Sequence, residues 1–514
     1  QLWTEGKEKR ESRAKESGRN LLVERWDAHE LKKRLMGSSP SAAGKIAFWF
    51  DSTLLSPDWL ERQFKRTRAE LGERYSPESH IDLPIRRSID AVSLDSRLFD
   101  QLSVMAGEIR LTLASTDQSN GAAVLACEAA LAALDGARCD RNAKAVEELR
   151  ARLASARSAV AIWHGEMMHG QEVDAEGLAR PTVSLRALSG LVSAIRVASR
   201  ELQQDHWNLV GARSLLVVGD AGSGKSHLLA DACDSALNNG RPALLLLGGK
   251  LADAEPWGEM LKGLDLAGSF SSATFLGALN AAGEAAGARA LLIVDALNEG
   301  NGQRIWPSRL AALAHDVARF EWVALVMSCR TGYLDMVVPA ELDARALPRV
   351  EHRGFSVRQA RLYLQRRGIR LAEEPSAVRE LESPLFIKIC CDSLNLDGQD
   401  ALKSSLGGVS AIFGLYTRAV VKRVTLKIRS NPALRRVEKA IAALVDEMAD
   451  VGNELIDADR AYCLVSPPGG APMDVDHDVL FQLQSEGLLA TQPLDGHEYY
   501  RFTFQRVGDY QIAE

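Results

Sequence analysis

LLVVGDAGSGKS, from Leu215 to Ser226, is the stretch on which the reading of this chain turns. Leu215 to Val218 are four apolar residues in a row, the pattern of a strand buried on both faces. GDAGSGKS then fits the spacing GxxxxGK[ST], and Leu228, Leu229, Ala232, Ala236 and Leu237 after it share one helical stripe. A glycine-rich turn between a strand and a helix lets the backbone wrap closely around a phosphate, with several N–H groups pointing inward. The phosphate-binding set is therefore Gly219, Asp220, Ala221, Gly222, Ser223, Gly224, Lys225, Ser226 and His227. Lys225 brings a cation to the β- and γ-phosphates, the helix adds its positive N-terminal end, and Ser226 offers a hydroxyl to Mg²⁺. The cofactors this predicts are ATP or ADP with Mg²⁺.

Further strands are expected at ALLLL (243–247), ALLIV (290–294) and WVALVM (322–327), with Asn238, Asn239 and Gly240 ending the first helix. Apolar strands joined by helical crossovers predict an α/β domain, a mainly parallel sheet with helices on both faces. Asp295 follows its strand directly and is placed to hold the Mg²⁺ shell opposite Ser226, so these two are the expected metal residues. Glu299, one turn on, is the group to orient or deprotonate an attacking water. Arg330 leaves the end of the strand at 322–327, where its fixed fork can sense a γ-phosphate. Lys225, Asp295, Glu299 and Arg330 form the expected catalytic set.

Composition narrows the class. The chain has 514 residues, enough for roughly three or four domains. With 62 Lys plus Arg against 68 Asp plus Glu the net charge is −6, which argues against nucleic-acid binding through overall basicity. A hydrophobic fraction of 46% and a charged fraction of 25% exclude disorder, collagen or a coiled coil as the main architecture. Seven scattered cysteines with no CxxC pair fit neither a secreted disulfide scaffold nor a zinc ribbon, and Cys390 and Cys391 read as small buried hydrophobes. No apolar run approaches the ~20 residues of a membrane span. A reducing cytoplasm is the expected compartment, with no membrane partner.

Outward from the phosphate loop, residues 1–36 read as a charged helix, a short strand (NLLVERW) and a helix (HELKKRLM), the tail of a domain lying upstream. The start at Gln1 within a charged stretch fits a piece of a longer polypeptide. Glu5, Glu8, Glu11 and Glu16 read as a solvated helix face. Residues 37–100 form a connector in which Trp49, Phe50, Trp59, Phe64 and Tyr75 serve packing. Residues 101–205 are a helical arm, with Val146, Leu149, Leu153 and Val160 on one face and a turn near Gly136 or Asp140. An intramolecular helical hairpin is the better reading of this arm than a dimerisation surface. After about residue 346 strands are expected to give way to short helices until roughly residue 450, and YYRFTF (499–504) to form a hairpin arm. Arg353, Arg358, Arg361, Arg366, Arg367 and Arg370 read as solvated helix faces rather than a nucleic-acid site.

The phosphate loop, DALNE (295–299), SCR (328–330), SPLFIKICC (383–391) and YRFTFQRVGDYQIAE (500–514), in this order, resemble the STAND NTPases. The nearest likeness is to the prokaryotic antiviral (AVAST-type) members that carry a NACHT-like module. It covers residues 206–514 and, more loosely, 20–100 through WDAHELKKRLM, FWFDSTLL and RYSPESHIDLPI. The resemblance implies a nucleotide-binding P-loop domain at 206–345, a small helical domain at 346–404 and a winged-helix domain at 405–514. Residues 1–36 then end an N-terminal effector domain. By the same analogy Pro384 lies near the adenine, and Asn298 stands where the family often has a second Asp, which points to slow turnover. The winged-helix histidine that reads ADP in animal relatives has no assigned match here, since His477 and His497 both fit and neither is carried over. The implied function is an antiviral switch, closed with ADP and opened with ATP. On sensing a phage protein it would form a homo-oligomer, a tetramer, and activate an effector, first a DNA endonuclease and otherwise an NAD hydrolase or a protease. The competing readings are an AAA+ remodelling ATPase and a nucleotide-dependent scaffold without effector chemistry.

Overall fold

The structure, a computed structural model, describes residues 7, 10–12, 40–50, 54–169, 183–220, 222–251, 255–268, 270–299, 301–340, 342, 345–371, 379–388, 391, 401–402, 406–451, 455–465, 478–494 and 497–502. The strand and helix expected before residue 37, and Ala221, Cys390, His477 and residues 503–514, lie outside them. The chain enters through α1 (Pro40–Phe50), α2 (Pro57–Leu71) and α3 (Arg86–Ser93). The arm follows as α4 (Ser96–Ala114), α5 (Gly121–Asp140), α6 (Ala143–His169) and α7 (Val183–Leu202). Asn120 starts α5 by accepting the Ala123 N–H at 3.1 Å, and the helix runs through Gly136 to turn at Arg141.

The sheet is built from β1 (Ser214–Gly219), β2 (Ala243–Leu247), β3 (Ala290–Asp295), β4 (Val323–Arg330) and β5 (Arg349–Glu351). All pairings are parallel and the order is β2-β3-β4-β1-β5. Between the strands lie α8 (Lys225–Asn238), α9 (Pro256–Gly263), α10 (Ser272–Ala286) and α11 (Gly302–Ala318). This is an α/β fold of the P-loop type. Two expectations need correction. Strand β4 runs on to Arg330, because Ser328, Cys329 and Arg330 still pair with Val217, Val218 and Gly219. The strands also do not give out at residue 346: β5 extends the sheet beyond β1, its charged ends Arg349 and Glu351 hiding it from a search for apolar runs.

Side-chain alternation along β1 divides the core in two. Leu215 and Val217 join Ile293, Val326 and the inner faces of α4 to α8, including Val146, Leu149, Leu153 and Val160. Leu216 joins Leu292, Val294, Leu325 and Met327 under α2, α10 and α11. Trp59, Phe64 and Tyr75 are buried as the connector reading requires, whereas Trp49 is 64% exposed and meets only the edge of the adjacent Phe48 ring among the aromatic contacts of the described residues.

Beyond the sheet come α12 (Val357–Arg366), α13 (Leu406–Lys427) and α14 (Arg436–Val451). The expectation of short helices here is also corrected, since α13 has 22 residues and buries Tyr416, Val420 and Val424 in helical register. Then β6 (Ile456–Asp457), α15 (Ala458–Val465), α16 (Val479–Ser485), β7 (Leu489–Leu494) and β8 (His497–Phe502) close an antiparallel sheet of order β6-β8-β7. One hydrophobic cluster runs from Phe355 to Phe502 and takes in Ile81 from the connector. No helix among the described residues is long and apolar enough to cross a membrane.

Arg289 ties the connector and arm to the sheet. Its guanidinium is buried and donates to the carbonyls of Val92 (2.9 Å), Val210 (3.2 Å), Ala212 (2.7 Å) and Glu321 (3.1 Å). Burial pulls its pKa down to about 10, so it remains a cation at neutral pH. Arg289→Ala is expected to strand these carbonyls and lower the unfolding free energy by about 3 kcal/mol, measured by chemical denaturation.

Candidate nucleotide site

The phosphate loop leaves β1 at Gly219 and re-enters regular structure at Lys225, the first residue of α8. Gly222 and Gly224 hold φ values of 75° and 101°, a region a side chain at Cβ disfavours. Lys225 is buried, and its ammonium donates to the Gly219 and Asp220 carbonyls at 2.7 Å each. Burial first, then the nearby Arg330 charge, lowers its pKa to about 8.

Asp295 ends β3 and is buried. Its Oδ1 accepts from the Ser328 hydroxyl on β4 at 2.5 Å, while Oδ2 is buried without a hydrogen-bond partner among the described residues. Burial pushes this carboxyl above the ordinary carboxylate range, and the hydroxyls of Ser226 and Ser328 act against that shift. A buried, unsatisfied carboxylate oxygen next to the hydroxyl of Ser226 is the donor set a magnesium ion requires, so the residues fit it. No group of three or more candidate metal ligands occurs among the described residues. Two protein ligands are consistent with Mg²⁺, which keeps several waters and takes oxygens from its phosphates.

After Asp295 the chain turns sharply, with Ala296 at φ 57°. Ser328 holds this turn: its hydroxyl accepts the Ala296 N–H at 2.8 Å, and its carbonyl accepts that of Leu297 at 2.8 Å. Asn298 is buried and its side-chain oxygen accepts the Arg330 N–H at 3.1 Å, joining the ends of β3 and β4. The Asn at this place therefore has a structural task. Glu299 lies half-buried with Arg330 Nη2 at 3.7 Å from one oxygen and Arg74 Nη1 at 3.4 Å from both. Arg330 also donates through Nη1 to the Gln484 carbonyl at 3.2 Å, and the Gln484 side chain donates to the Tyr333 hydroxyl at 2.6 Å.

The sequence-derived residues thus converge, except Ala221, which lies outside the described residues. Pro384 sits over the loop, 3.6 Å from where a Cβ on Gly224 would be, and the neighbouring Leu385 N–H donates to the Gly222 carbonyl at 3.2 Å. The His227 ring turns away to stack on His80 at 5.4 Å, with Tyr75 at 5.2 Å, leaving its backbone as its contribution to the loop. Arg366 and Arg367, read as solvated, donate to the His80 carbonyl and the Ser79 hydroxyl of the connector.

Two residues escaped sequence reading. Arg74 precedes the site by far in sequence and heads RYSPESHIDLPI, a string read only as connector. His352, just past β5, is buried and donates its N–H to the Val218 carbonyl at 2.6 Å. Its Nδ1 accepts the Gly354 N–H at 3.2 Å, and burial lowers its pKa to about 4. The neutral ring therefore keeps its proton on Nε2, the edge next to Gly224. Recognising β5 as a strand was the missing signal.

No protein-family model matches the sequence, and no curated protein matches it. Among solved structures, Cdc6p of Pyrobaculum aerophilum aligns with 58% of this chain and 87% of its own, at 12% identity and a TM-score of 0.27. Orc1 of Aeropyrum pernix, solved in complex with DNA, aligns with 59% and 86%, at 13% identity and a TM-score of 0.31. A likeness at this level assigns no activity, and the P-loop fold of this chain stands on its sheet order and its loop.

Lys225 supplies a pH test. Below about pH 8 the free protein already holds the ammonium proton. Above it the free protein releases that proton, whereas a bound phosphate retains it, so binding must take a proton up. Nucleotide affinity is expected to be flat below pH 8 and to fall above it by up to roughly tenfold per pH unit. Calorimetry in buffers of different ionisation enthalpy checks this, and Lys225→Ala should remove both the pH dependence and most of the binding.

Proposed function

We propose that the chain binds and slowly hydrolyses ATP with Mg²⁺, and that the nucleotide sets the position of the C-terminal helical and antiparallel-sheet region. The observation that carries this is Arg330, which spans the end of β4 and the Gln484 carbonyl at the end of α16. An arginine on a strand end beside the phosphate loop is suited to a γ-phosphate, whose charge competes with a neutral carbonyl for the same guanidinium. ATP but not ADP would draw it from Gln484, giving the two nucleotides different affinities for the closed arrangement. Differential affinity is what moves a population.

In this reading Lys225 and the loop N–H groups bind the β- and γ-phosphates, and Ser226 and Asp295 hold Mg²⁺, which neutralises phosphate charge when bound. Glu299 orients the attacking water. Pro384 and its helix form the lid over the base. The order α14-β6-α15-α16-β7-β8 supports a winged helix, and with it the STAND-type switch rather than a constitutive remodelling ATPase. Assembly into a tetramer, a phage protein as trigger and a nuclease, NAD hydrolase or protease effector rest on the resemblance alone, and a cytoplasmic location on the cysteine usage.

Arg330→Ala should leave ADP affinity within about threefold while abolishing the ATP-dependent rise in hydrogen exchange across α16 and β7. Equal loss of ADP and ATP binding would remove Arg330 from the γ-phosphate. Hydrogen-exchange mass spectrometry with ADP, ATP and no nucleotide reads both.

A further inference from the structure

Arg74 belongs to the connector, yet its guanidinium reaches both oxygens of Glu299 at 3.4 Å. The segment that carries it is docked on both sides. Upstream, α2 lies along the edge strand: the Thr67 hydroxyl donates to the Leu245 carbonyl at 2.9 Å, Glu70 pairs with Lys250 at 2.5 Å, and Phe64 and Leu71 are buried. Downstream, the Tyr75 hydroxyl donates to Asp234 of α8 at 2.7 Å. Arg74 therefore travels with the nucleotide domain. Glu299 is bounded on another side by Gly249, where a Cβ would stand 3.1 Å from its own Cβ. Its other cationic partner among the described residues is Arg330, at 3.7 Å and itself drawn toward Gln484.

A carboxylate between two arginines goes to whichever is fixed. We propose that Arg74 is a positioning residue for catalysis, holding Glu299 off Arg330 and in line for the water that attacks the γ-phosphate. This rests on the reading of Glu299 as the water-orienting group. Without Arg74 the carboxylate is expected to shift toward Arg330 and lose the water. An exposed ion pair of this kind adds little to stability, so its effect belongs to the rate.

The test is steady-state ATP hydrolysis and calorimetric ATP binding for the chain and for Arg74→Ala, Arg74→Lys, Glu299→Gln and the double variant Arg74→Ala/Glu299→Gln. Arg74→Ala should lower kcat by about tenfold or more with KM and Kd within twofold, since misplacing a catalytic group acts on the transition state. Arg74→Lys should recover part of the rate, and Arg74→Ala should cause no further loss where Glu299 is already Gln. Unchanged or raised kcat in Arg74→Ala, or a full additional loss in the double variant, overturns the proposal. If Arg74→Ala fails to fold, Arg74→Gln takes its place in both comparisons. Wild-type turnover in Glu299→Gln would instead remove the underlying reading of Glu299, whatever Arg74 does.

Discussion

A carboxylate buried at the junction of two parallel strands is the constraint on which this molecule is organised. Asp295 would be costly there if it were not answered locally. Ser328 answers it with a hydroxyl on Oδ1, and the same residue fixes the backbone of the two positions that follow. One serine on β4 thus sets both the charge and the direction in which the chain leaves β3. Asn298 and Glu299 inherit their places from that turn, and Asn298 in turn fixes the backbone of Arg330. The side chains meet at this corner because the strand ends are locked to one another, not because any one of them reaches far.

The same corner is where distant parts of the chain converge. Arg74 arrives from the connector, Pro384 and Leu385 from beyond the sheet, and Gln484 from near the C-terminal end of the described chain. Each touches the loop, Glu299 or Arg330, and away from the site Ile81, Phe386 and Leu483 of the same segments share one apolar cluster. A ligand exchanging a single phosphate therefore acts on several segments at once, through short polar contacts that are individually weak and cheap to rearrange. The buried Arg289 contacts are of the opposite kind, a fixed joint that holds the connector, the arm and the sheet together.

Much of this was legible in the sequence for physical reasons. The phosphate loop and Asp295 announce themselves because close backbone approach demands glycine and buried strands demand apolar runs. The arm was legible through the 3.6-residue spacing of Val146, Leu149, Leu153 and Val160. Strand β5 was not, since an edge strand of three residues with charged ends has no periodicity to detect. With β5 went His352. Arg74 was illegible for another reason: its contact with Glu299 exists only through the docking of α2 on β2, and RYSPESHIDLPI, which begins with it, reads as connector and nothing more. The turn of the His227 ring toward His80 likewise depends on where the connector loop lands, a tertiary fact with no local sign.

Ile81 lies in the connector, yet it is sealed into the cluster that extends from Phe355 to Phe502. A ribosome delivers this isoleucine long before the residues that will cover it. While synthesis continues, the finished sheet must carry an unsatisfied apolar anchor beside its own phosphate loop, a standing invitation to wrong partners. Closing such a long chain loop is slow, and the cover for Ile81 comes only after the whole sheet has been made. The joint between the sheet and the Phe355–Phe502 cluster is therefore made late in folding, although one of its anchors, Ile81, is made before the sheet itself.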